Sequence, residues 1–182
     1  MKSTLASASA LFLFAMPASA QTFAVNSPDL GHGFTDRQMQ AASYGFGCEG
    51  GNISPEIDWS GAPKGTQSFA VSIYDRDAPT GSGFWHWVVA NIPASATGLA
   101  AGAGTAKAPL PDGAVQTRTD FGVPGYGGPC PPKGTTHTYA VTVTALGAPK
   151  IPVDGNTTPA IAGFMTNANA LAKATMEVKL SR

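Results

Sequence analysis

The amino-acid sequence predicts a mostly-β protein of the sandwich class. Two observations carry that expectation. The chain holds 22 glycines and 15 prolines among 182 residues, spread throughout, which calls for many turns and short strands. Between the turns, residues 68–74 (Ser-Phe-Ala-Val-Ser-Ile-Tyr) and 138–146 (Thr-Tyr-Ala-Val-Thr-Val-Thr-Ala-Leu) alternate as half-buried strands do.

The elements follow in chain order. Residues 1–20 read as a signal peptide. Lys2 gives a positive start, Leu11 to Met16 form a short apolar stretch, and Pro17 breaks it before Ala18-Ser19-Ala20, the small-x-small pattern of a cleavage site. The stretch falls well short of the roughly 20 apolar residues a membrane span needs. Cleavage after Ala20 and delivery to the periplasm or beyond are therefore expected. Residues 21–182 then form one domain, large enough for a proper core and without a transmembrane anchor. Strands are expected at 53–59, 68–74, 85–92, 138–146 and 175–180, separated by turn clusters at 60–65 and 131–134. Residues 94–115, rich in Ala and Gly with Pro109 and Pro111, read as a long surface connection. One helix is expected near the C-terminus. Thr158 can cap it and Pro159 suits its first position; Ile161, Phe164, Met165, Ala168, Leu171 and Ala172 follow at helical spacing, on the face expected to pack as core.

Charge excludes two classes of partner. Without Lys2 the chain has ten basic and eleven acidic side chains, with no basic run to follow a nucleic acid or hold an anionic lipid surface. Cys48 and Cys130 are the two cysteines. In an oxidising compartment an even count favours a disulfide, with two buried thiols or a metal pair as the alternatives. Closing a loop of roughly 80 residues stabilises a fold by about 4–5 kcal/mol in the chain-entropy model.

Two segments concentrate side chains able to do chemistry. In Tyr74-Asp75-Arg76-Asp77-Ala78-Pro79-Thr80-Gly81, followed by Gly83-Phe84-Trp85-His86-Trp87, a strand runs into an acidic turn and returns with a histidine among aromatics. The plain structural alternative is an Asx-type turn and a core histidine. In the second segment, Tyr126 to Tyr139, His137 and Tyr139 lie two apart and share a face if the strand has begun, so imidazole and phenol point at one small ligand. A turn-rich strand entry with a half-buried tyrosine is the alternative there.

Together these segments resemble the signature regions of the phosphatidylethanolamine-binding protein family, in its bacterial Raf-kinase-inhibitor-like branch. The acidic D-x-D-A-P turn and tryptophan–histidine strand match Asp75 to Pro79 and Trp85 to Val89; the G-x-H-x-Y strand entry matches Gly134 to Tyr139 with one extra residue. Asn52-Ile53-Ser54-Pro55 through Gly61, Thr119-Asp120-Phe121-Gly122 and the Gly163-Phe164-Met165 helix add to the likeness, which runs in order from about residue 22 to the end. The resemblance implies a large central antiparallel β-sheet packed on a smaller one, and a pocket for phosphate-like or carboxylate anions. Carried over by position, that pocket uses Asp75, Asp77, His86, His137 and Tyr139, with the Cys130–Pro131 backbone on its rim. Two positions depart from the family pattern. Arg76 stands where proline is frequent between the acidic residues, implying a looser turn and a more basic rim, and Thr138 replaces a frequent arginine.

An anion can bind beside carboxylates if the charges divide the labour. On this reading Asp75 accepts an N–H from a pocket histidine and fixes its tautomer, the opposite ring nitrogen donates to the ligand, best when protonated, and Tyr139 and a nest of turn N–H groups assist. A binding module for a small phosphate or carboxylate, a lipid headgroup, or an envelope or host protein is therefore expected, without cofactor or metal. A protein-interaction or inhibitor module without obligatory ligand is the alternative. A hydrolase is disfavoured because no G-x-S-x-G elbow is present and Ser82 is an ordinary loop serine. Neither H-x-x-x-H nor C-x-x-C occurs to mark a metal site. Gly45 to Gly50 formally fits G-x-G-x-x-G, yet Pro55 follows where a helix is needed, and Asp120-Phe121-Gly122 lacks every other kinase element.

Overall fold

The computed structural model describes residues 22–182. The predicted leader, residues 1–20, lies outside the described residues. Eight strands and one helix follow in the order β1 (Ala24–Asn26), β2 (Ile57–Ser60), β3 (Ser68–Asp75), β4 (Phe84–Pro93), β5 (Gly98–Leu99), β6 (Val115–Gln116), β7 (Thr136–Leu146), α1 (Pro159–Ala168) and β8 (Ala170–Ser181). They form a five-stranded sheet, β6-β4-β3-β7-β8, and a three-stranded sheet, β1-β2-β5, with every pairing antiparallel. The expected large and small sheets are both present.

Alternation places the core. In β7 the odd positions from His137 to Val143 are buried while Thr138, Ala140 and Thr142 are less so, and β3 buries Val71 and Ile73 on the same face. This face packs on Ile57, Trp59 and Leu99 of the small sheet. Each fully buried Val, Ile or Leu stabilises the fold by roughly 1.5–3 kcal/mol. A smaller cluster of Ala70, Ala90, Leu146 and Ile151 lies on the other side of the large sheet, with Met165 of α1 against it.

Three expectations are corrected. The strand expected at 53–59 begins only at Ile57, because Pro55 has no amide to join a ladder. The 94–115 connection is not wholly superficial: Leu99 pairs with Ile57, and Ala103 and Gly104 are buried, with the Gly104 amide held by Ser54 Oγ at 2.8 Å. The helix is shorter and turned the other way. Thr158 caps it as expected, but it ends at Ala168, and Ile161 and Phe164 are 51% and 66% exposed whereas Ala162 is fully buried. The Asn169 carbonyl accepts the Gly147 amide at 2.9 Å, and the next residue, Ala170, pairs with Leu146. Leu171 and Ala172 are thereby drawn into β8. Among the described residues no helix is long and apolar enough to cross a membrane.

Candidate ligand site

The register of the large sheet assembles the site. Asp75, the last residue of β3, pairs with Phe84 at the start of β4 on one side and with Tyr139 near the start of β7 on the other. Three antiparallel strands therefore bring residues about 60 apart in sequence to one end of the sheet. His137 lies two residues before Tyr139 and shares its face. His86 arrives by a different device: Ile73 pairs with Trp87 and Tyr74 with Trp85, leaving His86 as the extra residue of a bulge. Such bulges re-aim a side chain, and here the imidazole joins the inward face.

These side chains line a hollow of about 210 Å³. Asp75, His86, Cys130, Pro131, His137 and Tyr139 all border it. Asp77 does not: it is exposed, and its Oδ2 accepts the Thr138 amide at 2.6 Å, which also holds its carboxyl below the usual carboxylate range. The Asp77 amide donates to Asp75 Oδ1 at 2.9 Å, so the acidic segment is an Asx turn and a site wall at once. Arg76 does not make the rim basic. Its guanidinium is drawn outward to Glu177 on β8. Of the turn N–H groups expected to form a nest, the Asp77 amide serves Asp75 and the Thr80 amide serves the Ala78 carbonyl.

The hydrogen bonds fix the imidazoles. His137 Nδ1 donates to Asp75 Oδ2 at 2.7 Å, both residues buried. His86 Nδ1 donates to the Gly127 carbonyl at 2.8 Å, not to a carboxylate. Burial pulls the His86 pKa below its ordinary value; the Gly127 carbonyl and the Asp75 charge offset this only in part. Tyr139 is fully buried, and among the described residues its hydroxyl meets no partner at full hydrogen-bond geometry, although the Asp75 carboxylate lies close enough to interact with it. Burial first, and the Asp75 charge second, push its pKa far up, so it stays protonated.

Sequence reasoning missed several walls. Phe84 and Phe121 stack edge to face at 4.7 Å, Phe121 meets His86 at 5.6 Å, and Phe46 stands 61% exposed at the mouth. Gln40 also lines the hollow, with its buried side-chain oxygen unpartnered, and nothing in its local sequence marked it. The rim is tied from outside. Cys48 and Cys130 form a disulfide across 82 residues, and Asn52 accepts the Gly128 amide at 2.8 Å. Gly128 has to be glycine, because a Cβ there would meet the Gln38 carbonyl and the Gln40 amide. Arg182 reaches behind the rim to the carbonyls of Phe46 and Pro131, each at 3.3 Å.

A larger groove of about 660 Å³ lies on the other face of the sheet beside α1. Its walls are mostly Ala, Thr and Val, with Lys173 and no histidine or carboxylate, so the smaller hollow is where chemistry converges.

Comparison with known proteins agrees with this architecture. The chain belongs to the phosphatidylethanolamine-binding protein family, whose model matches residues 31–181. It is 51% identical over 175 residues to the UPF0098 protein YbcL of Escherichia coli K12, covering 94% of each chain. It is 50% identical over 137 residues to YbhB of the same organism, covering 75% of this chain and 87% of that one. The crystal structure of E. coli YbcL, described as a member of the mammalian PEBP family, superposes with a TM-score of 0.83 over 88% of this chain and 98% of that one. CT736 of Chlamydia trachomatis, at 24% identity with a TM-score of 0.68 over 88% and 97% of the two chains, shares the fold.

Proposed function

We propose that this protein is an exported, non-catalytic binding module that takes a small phosphate- or carboxylate-bearing ligand in the hollow at the end of the large sheet. The observation that carries the reading is the convergence of two buried imidazoles and a buried, unpartnered phenol on one small concavity beside Asp75. Buried polar groups without partners are costly, and a bound oxyanion would relieve them. Export rests on the leader pattern in residues 1–20, and the disulfide suits an oxidising compartment. A lipid headgroup is one source of the anion and a free phosphomonoester another.

The hydrolase reading has Ser82 as its candidate nucleophile. Ser82 is exposed, and its carbonyl, not its hydroxyl, is engaged, accepting from Tyr74 at 2.8 Å. Covalent labelling of Ser82 by a fluorophosphonate would reopen the enzyme reading. The test of the binding reading is calorimetry with methyl phosphate between pH 5 and 8, on the wild type and on a variant with both His86 and His137 replaced by Gln. Affinity is expected to fall as pH rises and to be lost in the double variant; a flat profile, or binding that survives it, refutes the site.

A second reading, a protein-interaction module without obligatory ligand, is favoured by the exposed Ile161 and Phe164 of α1 beside the larger groove. Pull-down from the native compartment that depends on Phe164 and not on His137 would support it.

A further inference from the structure

Between Asn52 and His86 the short segment from Tyr126 to Gly128 is gripped on both edges. A trans peptide is planar, with its carbonyl and its N–H pointing opposite ways. The peptide joining Tyr126 to Gly127 accepts from Asn52 Nδ2 at 3.1 Å on one edge. On the other edge its Gly127 N–H donates to the His86 carbonyl at 3.0 Å. The next peptide is held in the reverse sense. The Gly128 N–H donates to Asn52 Oδ1 at 2.8 Å, and the Gly127 carbonyl accepts from His86 Nδ1 at 2.8 Å. The asparagine side chain thus pairs with this segment as a neighbouring strand's backbone would, and the imidazole sits across the same two rigid plates.

Asn52 is itself fixed. Its φ of 51° lies in the left-handed region, which asparagine tolerates better than most residues. Its N–H donates to the Met39 carbonyl at 2.8 Å, and the amides of Gly51 and Ile53 bond to the Asp36 and Arg37 carbonyls. The gripped segment has little freedom of its own: it is buried, and a Cβ on Gly127 would collide with the Phe121 ring. The consequence falls on His86. A carbonyl has no proton to give, so Nδ1 carries the hydrogen, and Nε2 is the nitrogen left to a ligand in the hollow.

Resting on the binding reading above, we infer that Asn52 is a positioning residue for the ligand, which sets the tautomer and the orientation of His86 through the two peptides that meet at Gly127. Asn52 stands outside the wall of the hollow and acts only through the ring it holds. Partners of this outer kind fix which nitrogen of an imidazole is presented, and in metal sites they are worth about 10- to 100-fold in affinity.

Nitrogen-15 NMR of histidine-labelled protein at pH 8 reads the hydrogen without ligand, because burial holds the His86 pKa below its ordinary value and the ring is neutral there. The His86 signals are those missing from His86→Asn. Wild type is expected to show the Nδ1–H form. Asn52→Gly keeps the left-handed backbone and the main-chain bond to Met39 but removes both gripping atoms. In it the Nε2–H form is expected to appear, and methyl phosphate affinity at pH 5.5, by calorimetry, to fall about tenfold. Asn52→Asp keeps an oxygen for the Gly128 amide, which belongs to the same peptide as the Gly127 carbonyl, and is expected to keep the Nδ1–H form. That variant decides the tautomer arm should Asn52→Gly not fold.

Asn91→Gly controls for general loosening. Asn91 has a similar backbone, with φ of 58°, and also grips one residue with both amide atoms: Ile151, at 3.2 and 2.8 Å, in the cluster on the other side of the sheet. Its replacement is expected to lower Tm and to leave both the His86 tautomer and the affinity as in wild type. An Nε2–H ring in wild type, an unchanged ring in Asn52→Gly, loss of the Nδ1–H form in Asn52→Asp, or the same change in Asn91→Gly overturns the inference. So does a moved tautomer with affinity unchanged. Failure of the wild type to bind methyl phosphate instead overturns the binding reading, and the ligand-free tautomers keep the two failures apart.

Discussion

Replacing Tyr139 by Phe separates what the fold needs from what the site needs. The ring is fully buried and packs edge to face on Phe34 at 5.1 Å and on His86 at 5.3 Å. Phenylalanine keeps those contacts, leaves no cavity and removes only the hydroxyl. Among the described residues that hydroxyl meets no partner at full hydrogen-bond geometry, and burying such a group costs roughly 1–3 kcal/mol. The variant should therefore be more stable by about 1 kcal/mol, which raises the Tm of a domain this size by about 2–4 °C. Binding should move the other way. Losing one neutral hydrogen bond to ligand weakens methyl phosphate by about three- to tenfold. Because the Tyr139 pKa lies far above the ordinary value, the hydroxyl donates throughout the neutral range and the loss should not vary between pH 5 and 8. Urea denaturation with an unchanged slope measures the first effect and calorimetry the second. A variant destabilised by more than about 1 kcal/mol, with affinity intact, would show that the hydroxyl is bonded within the protein and would refute the reasoning.

Other perturbations give further checks. The folded His86 pKa lies below the unfolded value near 6.5, so the unfolded chain takes up a proton first on acidification. The stability that neutral His86 contributes is thus complete above about pH 6.5 and is lost as pH falls toward the folded pKa. In His86→Asn, whose amide can keep the bond to Gly127, the drop in Tm between pH 7 and 5 should be shallower than in wild type; parallel curves would contradict the assignment. Replacing Cys48 and Cys130 together by Ala opens a loop of 82 residues and should cost about 4.5 kcal/mol in the chain-entropy model, read by urea denaturation. It should also weaken methyl phosphate, because Cys130 borders the hollow. Asp77→Ala removes the acceptor for the Thr138 amide and should lower Tm slightly while leaving methyl phosphate affinity unchanged; a large loss of affinity would return Asp77 to the site.

The strands were legible because their signal is local. A period of two from Thr138 to Leu146 says which side chains turn inward without any knowledge of neighbours, and β7 obeys it. The same logic put His137 and Tyr139 on one face. The helix was misread where its fate depended on partners. Ile161 and Phe164 have the spacing of a buried face, but the chain enters α1 at Thr158 and must leave at Asn169 to pair β8 with β7, and that rotation puts Ala162 against the sheet. Arg76 was misread for a similar reason, since Glu177 is a neighbour only once β8 has folded back.

By itself, the sequence determined the class of fold, the family, the pair of cysteines and the side chains of Asp75, His86, His137 and Tyr139 as candidates for one site, because strand periodicity and short motifs are properties of neighbouring residues. Tertiary structure alone decided that His86 leaves the strand pattern through a bulge, that its partner is the Gly127 carbonyl, that His137 is the histidine on Asp75, and that Gln40 belongs to the wall. Those facts depend on sheet register and on loops meeting across some 40 to 90 positions of chain, and no local pattern encodes a register. They also set which nitrogen of each ring carries the hydrogen, and so what the hollow is equipped to hold.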